Sequence, residues 1–131
     1  MLYDFHIDGE SPDAGQIFVF GSNEAGIHGR GAAKKALEYG AKYGIGYGLN
    51  GNSYAIPTKD KKIKTLPLEQ ISKNIKEFVR FTHTRPDLDF FITSVGCGLA
   101  GYQDYQIAPL FNGCYVNCSF PLNWKSFLKR L

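Results

Sequence analysis

Asn23, His28 and Arg30 stand among glycines in the stretch Gly21-Ser22-Asn23-Glu24-Ala25-Gly26-Ile27-His28-Gly29-Arg30-Gly31-Ala32. The Asn23 amide donates and accepts at once, which suits a ribose hydroxyl; its alternative use is to cap its own loop. His28 has the chemistry of a general acid or base near neutral pH, or it is a loop histidine with no role. Arg30 can grip a phosphate with two parallel hydrogen bonds, or it is an ordinary solvated cation. A second loop reads Ser94-Val95-Gly96-Cys97-Gly98-Leu99-Ala100-Gly101-Tyr102. Successive backbone N–H groups in such a loop form a concave nest for anions. Cys97 is there either a nucleophile activated by nearby amides or a small side chain packed under the loop.

Each loop follows an apolar run of strand length and precedes a helical segment. Ile17–Phe20 reads as a buried strand, and Gly31 to Tyr39 as a helix rich in good helix formers. Strand, glycine turn and helix start make a cradle for negative charge, because glycine lets backbone approach and the first helical N–H groups are free. The dinucleotide pattern G-x-G-x-x-G, its acidic ribose ligand and the Walker A loop are all absent. The chemistry indicated is therefore a diphosphate held between residues 21–31 and 96–102 across one crevice. A helix terminus contributes only ~0.3–1 kcal/mol, whereas micromolar binding needs about 8 kcal/mol. An aromatic surface for a base is required as well. Tyr102, directly after the second loop, stands ahead of Tyr105, Tyr43 and Phe20.

Leu2 to Ile7 reads as an edge strand and Gly9 to Gly15 as a turn. Gly40 to Asn52 has too many glycines for a helix or central strand and reads as a long surface loop with Tyr43 and Tyr47 at its tips. Ser53–Thr58 reads as a strand ended by Pro57. The lysines 59, 61, 62 and 64 either attract a polyanion or, the favoured reading, form a solvated turn before the next helix. Pro67 then suits the first turn of a helix. Apolar residues at 68, 71, 75, 78, 79 and 81 trace one face of that helix, which ends before Pro86. Leu88–Val95 reads as a buried strand, a short helix begins near Asp104 as N-cap, Cys114–Phe120 is a last strand and Asn123–Leu131 an amphipathic tail. Cys114 and Cys118 fall on one face of that strand as core. Alternating strands and helices predict a three-layer α/β domain.

A chain of 131 residues, 44% hydrophobic and 21% charged, is long enough for one core and too apolar for disorder. The formal charge of +3 suits an anionic small molecule and argues against duplex nucleic acid. No run has the roughly 18 apolar residues of a membrane span, and the N-terminus lacks a signal-peptide pattern. Three cysteines without metal spacing point to a reducing cytoplasm and no metal. No cofactor is indicated.

Together, Asn23 with Gly29 and Gly31, the loop Gly96-Cys97-Gly98-Leu99-Ala100-Gly101 and the strand Tyr54-Ala55-Ile56-Pro57 resemble the macrodomain superfamily, which binds ADP-ribose and related metabolites and sometimes hydrolyses them. The resemblance spans roughly residues 17 to 120. It implies one domain over 1–131, a three-layer α/β/α macrodomain-like fold with a mixed central sheet, and an ADP-ribose-like partner held by the two loops. It also marks departures. Ala33 stands where the family's common hydrolases carry an aspartate, and Ala100 where another branch does, leaving Asn23, His28 or Glu24 for any catalysis. The alternatives to a binder are a phosphatase or glycohydrolase acting on ADP-ribosyl compounds, with Asn23 and His28 placing water, and an interaction module whose glycines serve packing alone.

Overall fold

A computed structural model describes residues 3–129. Its centre is a six-stranded sheet in the order β1-β6-β5-β2-β4-β3. The strands are β1 (Asp4–His6), β2 (Ile17–Asn23), β3 (Gly48–Asn50), β4 (Ser53–Lys59), β5 (Phe90–Ile92) and β6 (Cys118–Pro121). All pairings are parallel except β3 with β4, so the sheet is mixed. Helices α1 (Gly31–Ala36), α2 (Leu68–Thr84) and α3 (Asp104–Ile107) complete the fold, with 3₁₀ turns at Leu37–Tyr39, Ala108–Phe111 and Leu122–Phe127.

The period-two alternation of β2 divides the core. Phe18 and Phe20 pack with Ala33 and Ala36 of α1 on one face. Ile17 and Val19 pack with Ile71, Ile75 and Phe78 of α2 on the other. Spacings of four and three in α2 put Ile71, Ile75, Phe78 and Thr82 on one buried face, as the sequence pattern predicts.

Several boundaries differ from the sequence expectation, each for a local reason. The helix expected over Gly31–Tyr39 tightens to 3₁₀ after Ala36 and ends at Gly40, whose φ is 100°. Pro57 does not end its strand. Its missing N–H faces the β3 side, and β3 pairs with β4 no further than Ala55. The Gly40–Asn52 segment is not all loop, since Gly48–Asn50 forms the sheet edge. The strand expected over Leu88–Val95 covers only Phe90–Ile92, because the chain turns just after it, with Val95 N–H donating to the Thr93 carbonyl at 2.7 Å and Cys97 N–H to the Ser94 carbonyl at 3.0 Å. The strand expected over Cys114–Phe120 begins at Cys118, so the two cysteines share the core without sharing a strand face. The N-cap of α3 is Gln103, in a reciprocal box with Gln106. Asp104 instead accepts bonds from Trp124 Nε1 and Asn123 Nδ2, both 2.9 Å, and anchors the buried Trp124 of the tail. Leu2 of the expected first strand and residues 130–131 of the expected tail lie outside the described residues.

Candidate functional site

After β2 the chain passes to α1 on one face of the sheet; after the neighbouring β5 it passes to α3 on the other. Where adjacent strands send their connections to opposite faces, a crevice opens at the strands' C-terminal ends. A cavity of about 450 Å³ is walled by Gly21, Ser22 and Asn23 from β2, by Gly29, Arg30, Gly31 and Ala32, and across from them by Ser94, Gly96, Gly98, Leu99 and Ala100. A second cavity of about 490 Å³ adjoins it toward β1. Gly31, Ala32, Thr93, Ser94 and Gly98 line both, so the two lobes meet at a waist formed by these five residues.

Free backbone donors gather on the two loops that wall the first lobe. Among the described residues, the amides of Gly29, Arg30, Gly31 and Ala32 have no acceptor within the protein, nor do those of Gly96, Gly98, Leu99 and Ala100. Arg30, the N-cap of α1, offers no side-chain bond to the helix start. The buried Ser94 Oγ is also unpartnered. Of the residues bearing these amides only Gly96 is buried, so the others would exchange water for an acceptor, whereas the buried Ser94 Oγ marks where an acceptor would be stabilised. Gly21 permits the close approach of the two loops, since a methyl there would lie 3.4 Å from the Gly96 nitrogen.

Asn23 shapes the first loop. Its Nδ2 donates to the Ile27 carbonyl at 2.7 Å and its Oδ1 accepts from the Ile27 N–H at 2.9 Å. Each end keeps one further hydrogen-bonding position, and the residue remains in the cavity wall.

His28 does not line either lobe. Its ring is fully buried, with Nε2 2.8 Å from the Lys42 carbonyl and 3.1 Å from that of Ile45. Nε2–H therefore donates to that turn, and the expected acid–base position is instead a tie between the loop and Lys42–Ile45. Glu24 is likewise outside, holding the Tyr47 hydroxyl. Tyr102 is not a base platform: its hydroxyl donates to the Leu66 carbonyl at 2.8 Å and its ring packs on the α2 core. Gly101 only closes the turn, bonding back to Gly98 with φ 87°. Cys97 lines the second lobe, where burial first, and then the Asp104 carboxylate, push its thiol up to about 12. It is a protonated packing group, not a thiolate nucleophile.

The β4 end contributes wall residues that the sequence did not reveal as such. Partners along β2 and β4 step from Ser22–Pro57 to Asn23–Lys59, and this shift carries Thr58 and Lys59 into the cavity. Lys59 thus leaves the solvated turn assigned to it, while Lys61, Lys62 and Lys64 remain exposed. Ile63 is a larger surprise. It lines the cavity with φ 63°, a left-handed conformation that costs a β-branched residue roughly 1–3 kcal/mol. The first lobe's wall contains no carboxylate or imidazole, and its ionisable groups are Arg30 and Lys59.

The second lobe supplies aromatic surface through Phe18, Phe91 and His6. The His6 ring stacks on Phe91, centroids 3.8 Å apart at 17°, with Nδ1 2.7 Å from Ser119 Oγ. Burial lowers the His6 pKa, outweighing the Ile92 carbonyl, Asp8 and Glu10, which act to raise it. The folded chain therefore holds a neutral imidazole. Its contribution to stability is fully present above the unfolded value near 6.5 and is lost as pH falls through the lower folded value. The melting temperature of the wild type should consequently fall more steeply than that of His6→Gln as pH is lowered from 7 to 5. Parallel melting curves for the two proteins would contradict the assignment.

Among the described residues no cluster of three metal-ligating side chains occurs, and no helix is long and apolar enough to cross a membrane. The sheet order, the helices on its two faces and the crevice at the β2–β5 junction define a three-layer, macrodomain-like α/β fold. Among solved structures, Thermosipho africanus DarTG, determined in complex with ADP-ribose, is similar with a TM-score of 0.52 and 18% sequence identity. That similarity covers 90% of this chain but 40% of the DarTG chain, so the present sequence corresponds to about two fifths of its length. No protein-family model and no curated protein matches the sequence.

Proposed function

We propose that this chain, as one domain, binds ADP-ribose or a close nucleotide diphosphate along the two-lobed groove. The observation that carries the reading is the set of amides without a protein acceptor on two loops that wall one cavity. Hydrogen bonds to a charged acceptor contribute about 1.5–3 kcal/mol each, so a few of them, with base burial, reach the ~8 kcal/mol of micromolar binding. Arg30 and Lys59 complement the negative charge. The base enters the second lobe beside Phe91 and His6, and the far ribose lies in the first lobe, where Asn23 and Thr58 offer polar partners. The ADP-ribose complex of the structurally similar DarTG supports the same ligand class.

A hydrolytic version of this reading keeps Asn23 as the residue that orients water but cannot use His28. Calorimetric titration with ADP-ribose tests the binding itself. One-to-one saturation with a dissociation constant in the micromolar range is expected; no heat at millimolar ligand would remove the proposal.

A further inference from the structure

The two lobes differ in charge. Arg30 and Lys59 are the ionisable groups in the wall of the first. The wall of the second carries three carboxylates, Asp8, Glu10 and Asp104, against the one amine of Lys35 and the neutral ring of His6. Asp8 and Glu10 follow β1, and Asp104 opens α3, so the acidic lining is assembled from two separate segments. Both segments are held in place. The Glu10 N–H donates to the Ile7 carbonyl and the Ile7 N–H donates to Glu10 Oε1 at 3.0 Å, closing the turn after β1. Asp104 is fixed by Trp124 and Asn123.

No cation offsets this lining. Among the described residues none of the three carboxylates takes part in an ion pair. Lys35 donates to Ser11 Oγ at 3.0 Å, with its Nζ 5.9 Å from the centre of the Phe18 ring. The carboxylates act on the lobe's other lining groups as well. After burial, Asp104 and then Asp8 push the Cys97 thiol up, and Asp8 and Glu10 oppose the lowering of His6 that burial causes. They do not form a metal ligand set, since among the described residues no three such groups converge. What they give the lobe is a negative field.

Resting on the proposed nucleotide reading, which puts the base in this lobe, we infer that Asp8, Glu10 and Asp104 make the groove reject a nucleotide with an extra phosphate on the sugar that carries the base. Such a phosphate enters beside the base and meets like charge. Lys35 alone can answer it, and only by giving up Ser11. The ligands accepted are then ADP-ribose and relatives whose adenosine hydroxyls are free, and those derived from a 2′-phosphorylated dinucleotide are excluded.

Calorimetric titrations with ADP-ribose and with ADP-ribose 2′-phosphate at low salt test this. The wild type should bind the 2′-phosphate about 30-fold more weakly. The double variant Asp8→Asn with Glu10→Gln keeps the side-chain shapes and an oxygen for the Ile7 N–H, and both positions are exposed, so its melting temperature should stay within about 2 °C. It should narrow the gap to about threefold and leave ADP-ribose affinity within about threefold of the wild type. Added salt should narrow the wild-type gap in the same direction. Equal or tighter binding of the 2′-phosphate by the wild type would overturn the inference while leaving nucleotide binding intact. A gap that neither the double variant nor salt reduces would show exclusion by shape rather than charge and also overturn it. Binding of neither ligand by the wild type would remove the nucleotide reading itself, and this inference with it.

Discussion

Gly46→Ala should destabilise the protein by about 3 kcal/mol and remove ligand binding with it. A methyl group at Gly46 would overlap the Asn23 carbonyl, and one at Gly26 would overlap the backbone of Gly44 and Ile45. Two segments of chain are thus pressed together, main chain against main chain, behind the first glycine loop. The contact is held by Ser22 Oγ donating to the Gly46 carbonyl, Gly44 N–H to the Gly26 carbonyl, and His28 to the Lys42 and Ile45 carbonyls. Backbone has no rotamer with which to yield, so the added methyl must separate the segments and break these bonds together. Gly44→Ala is the matching control: nothing lies within 4 Å of its new methyl, and only the positive φ of 87° opposes it. That change should cost about 1 kcal/mol. Urea denaturation of both variants checks the contrast, and equal losses would contradict it.

This packing also shows where the sequence is readable and where it is not. The alternation of Ile17–Phe20, the apolar face of α2 and the two glycine loops are local patterns, and each is found in the fold. The glycine density of residues 40–52 correctly excludes a helix or central strand. Its causes, however, differ by position: Gly46 lies against Asn23, Gly40 and Gly51 lie against each other's segments, and Gly44 and Gly48 hold positive φ, and contacts between separate segments leave no periodic mark. For the same reason His28 reads as a loop residue when it is buried, and Tyr102 as a platform when it is tied to Leu66. The ends of β4 and the Ile63 turn enter the cleft through a register shift and a left-handed residue. Neither propensity nor motif predicts either feature. Ala33 and Ala100 were informative as departures, since the first lobe's wall proves free of carboxylates.

The second large effect concerns charge. Lys59→Glu should weaken ADP-ribose binding about 100-fold while leaving the melting temperature within a degree or two. The substitution replaces one of two cations in the first lobe's wall with an anion facing a diphosphate, and the lobe contains no other carboxylate to share that position. Lys59 makes no salt bridge among the described residues, and its contribution to the sheet is through backbone, so folding should be little changed. Raising salt should narrow the gap between mutant and wild type, since screening weakens both attraction and repulsion. A loss of less than about threefold would place the ligand's phosphates elsewhere.

The loop amides without a protein acceptor are what would hold a diphosphate, and amide chemical shifts on titration with ADP-ribose report on them directly. The largest shifts should fall on Gly29–Ala32 and Gly96–Ala100 together, saturating with one affinity. Shifts confined to one loop, or to residues outside both lobes, would contradict a diphosphate held between them.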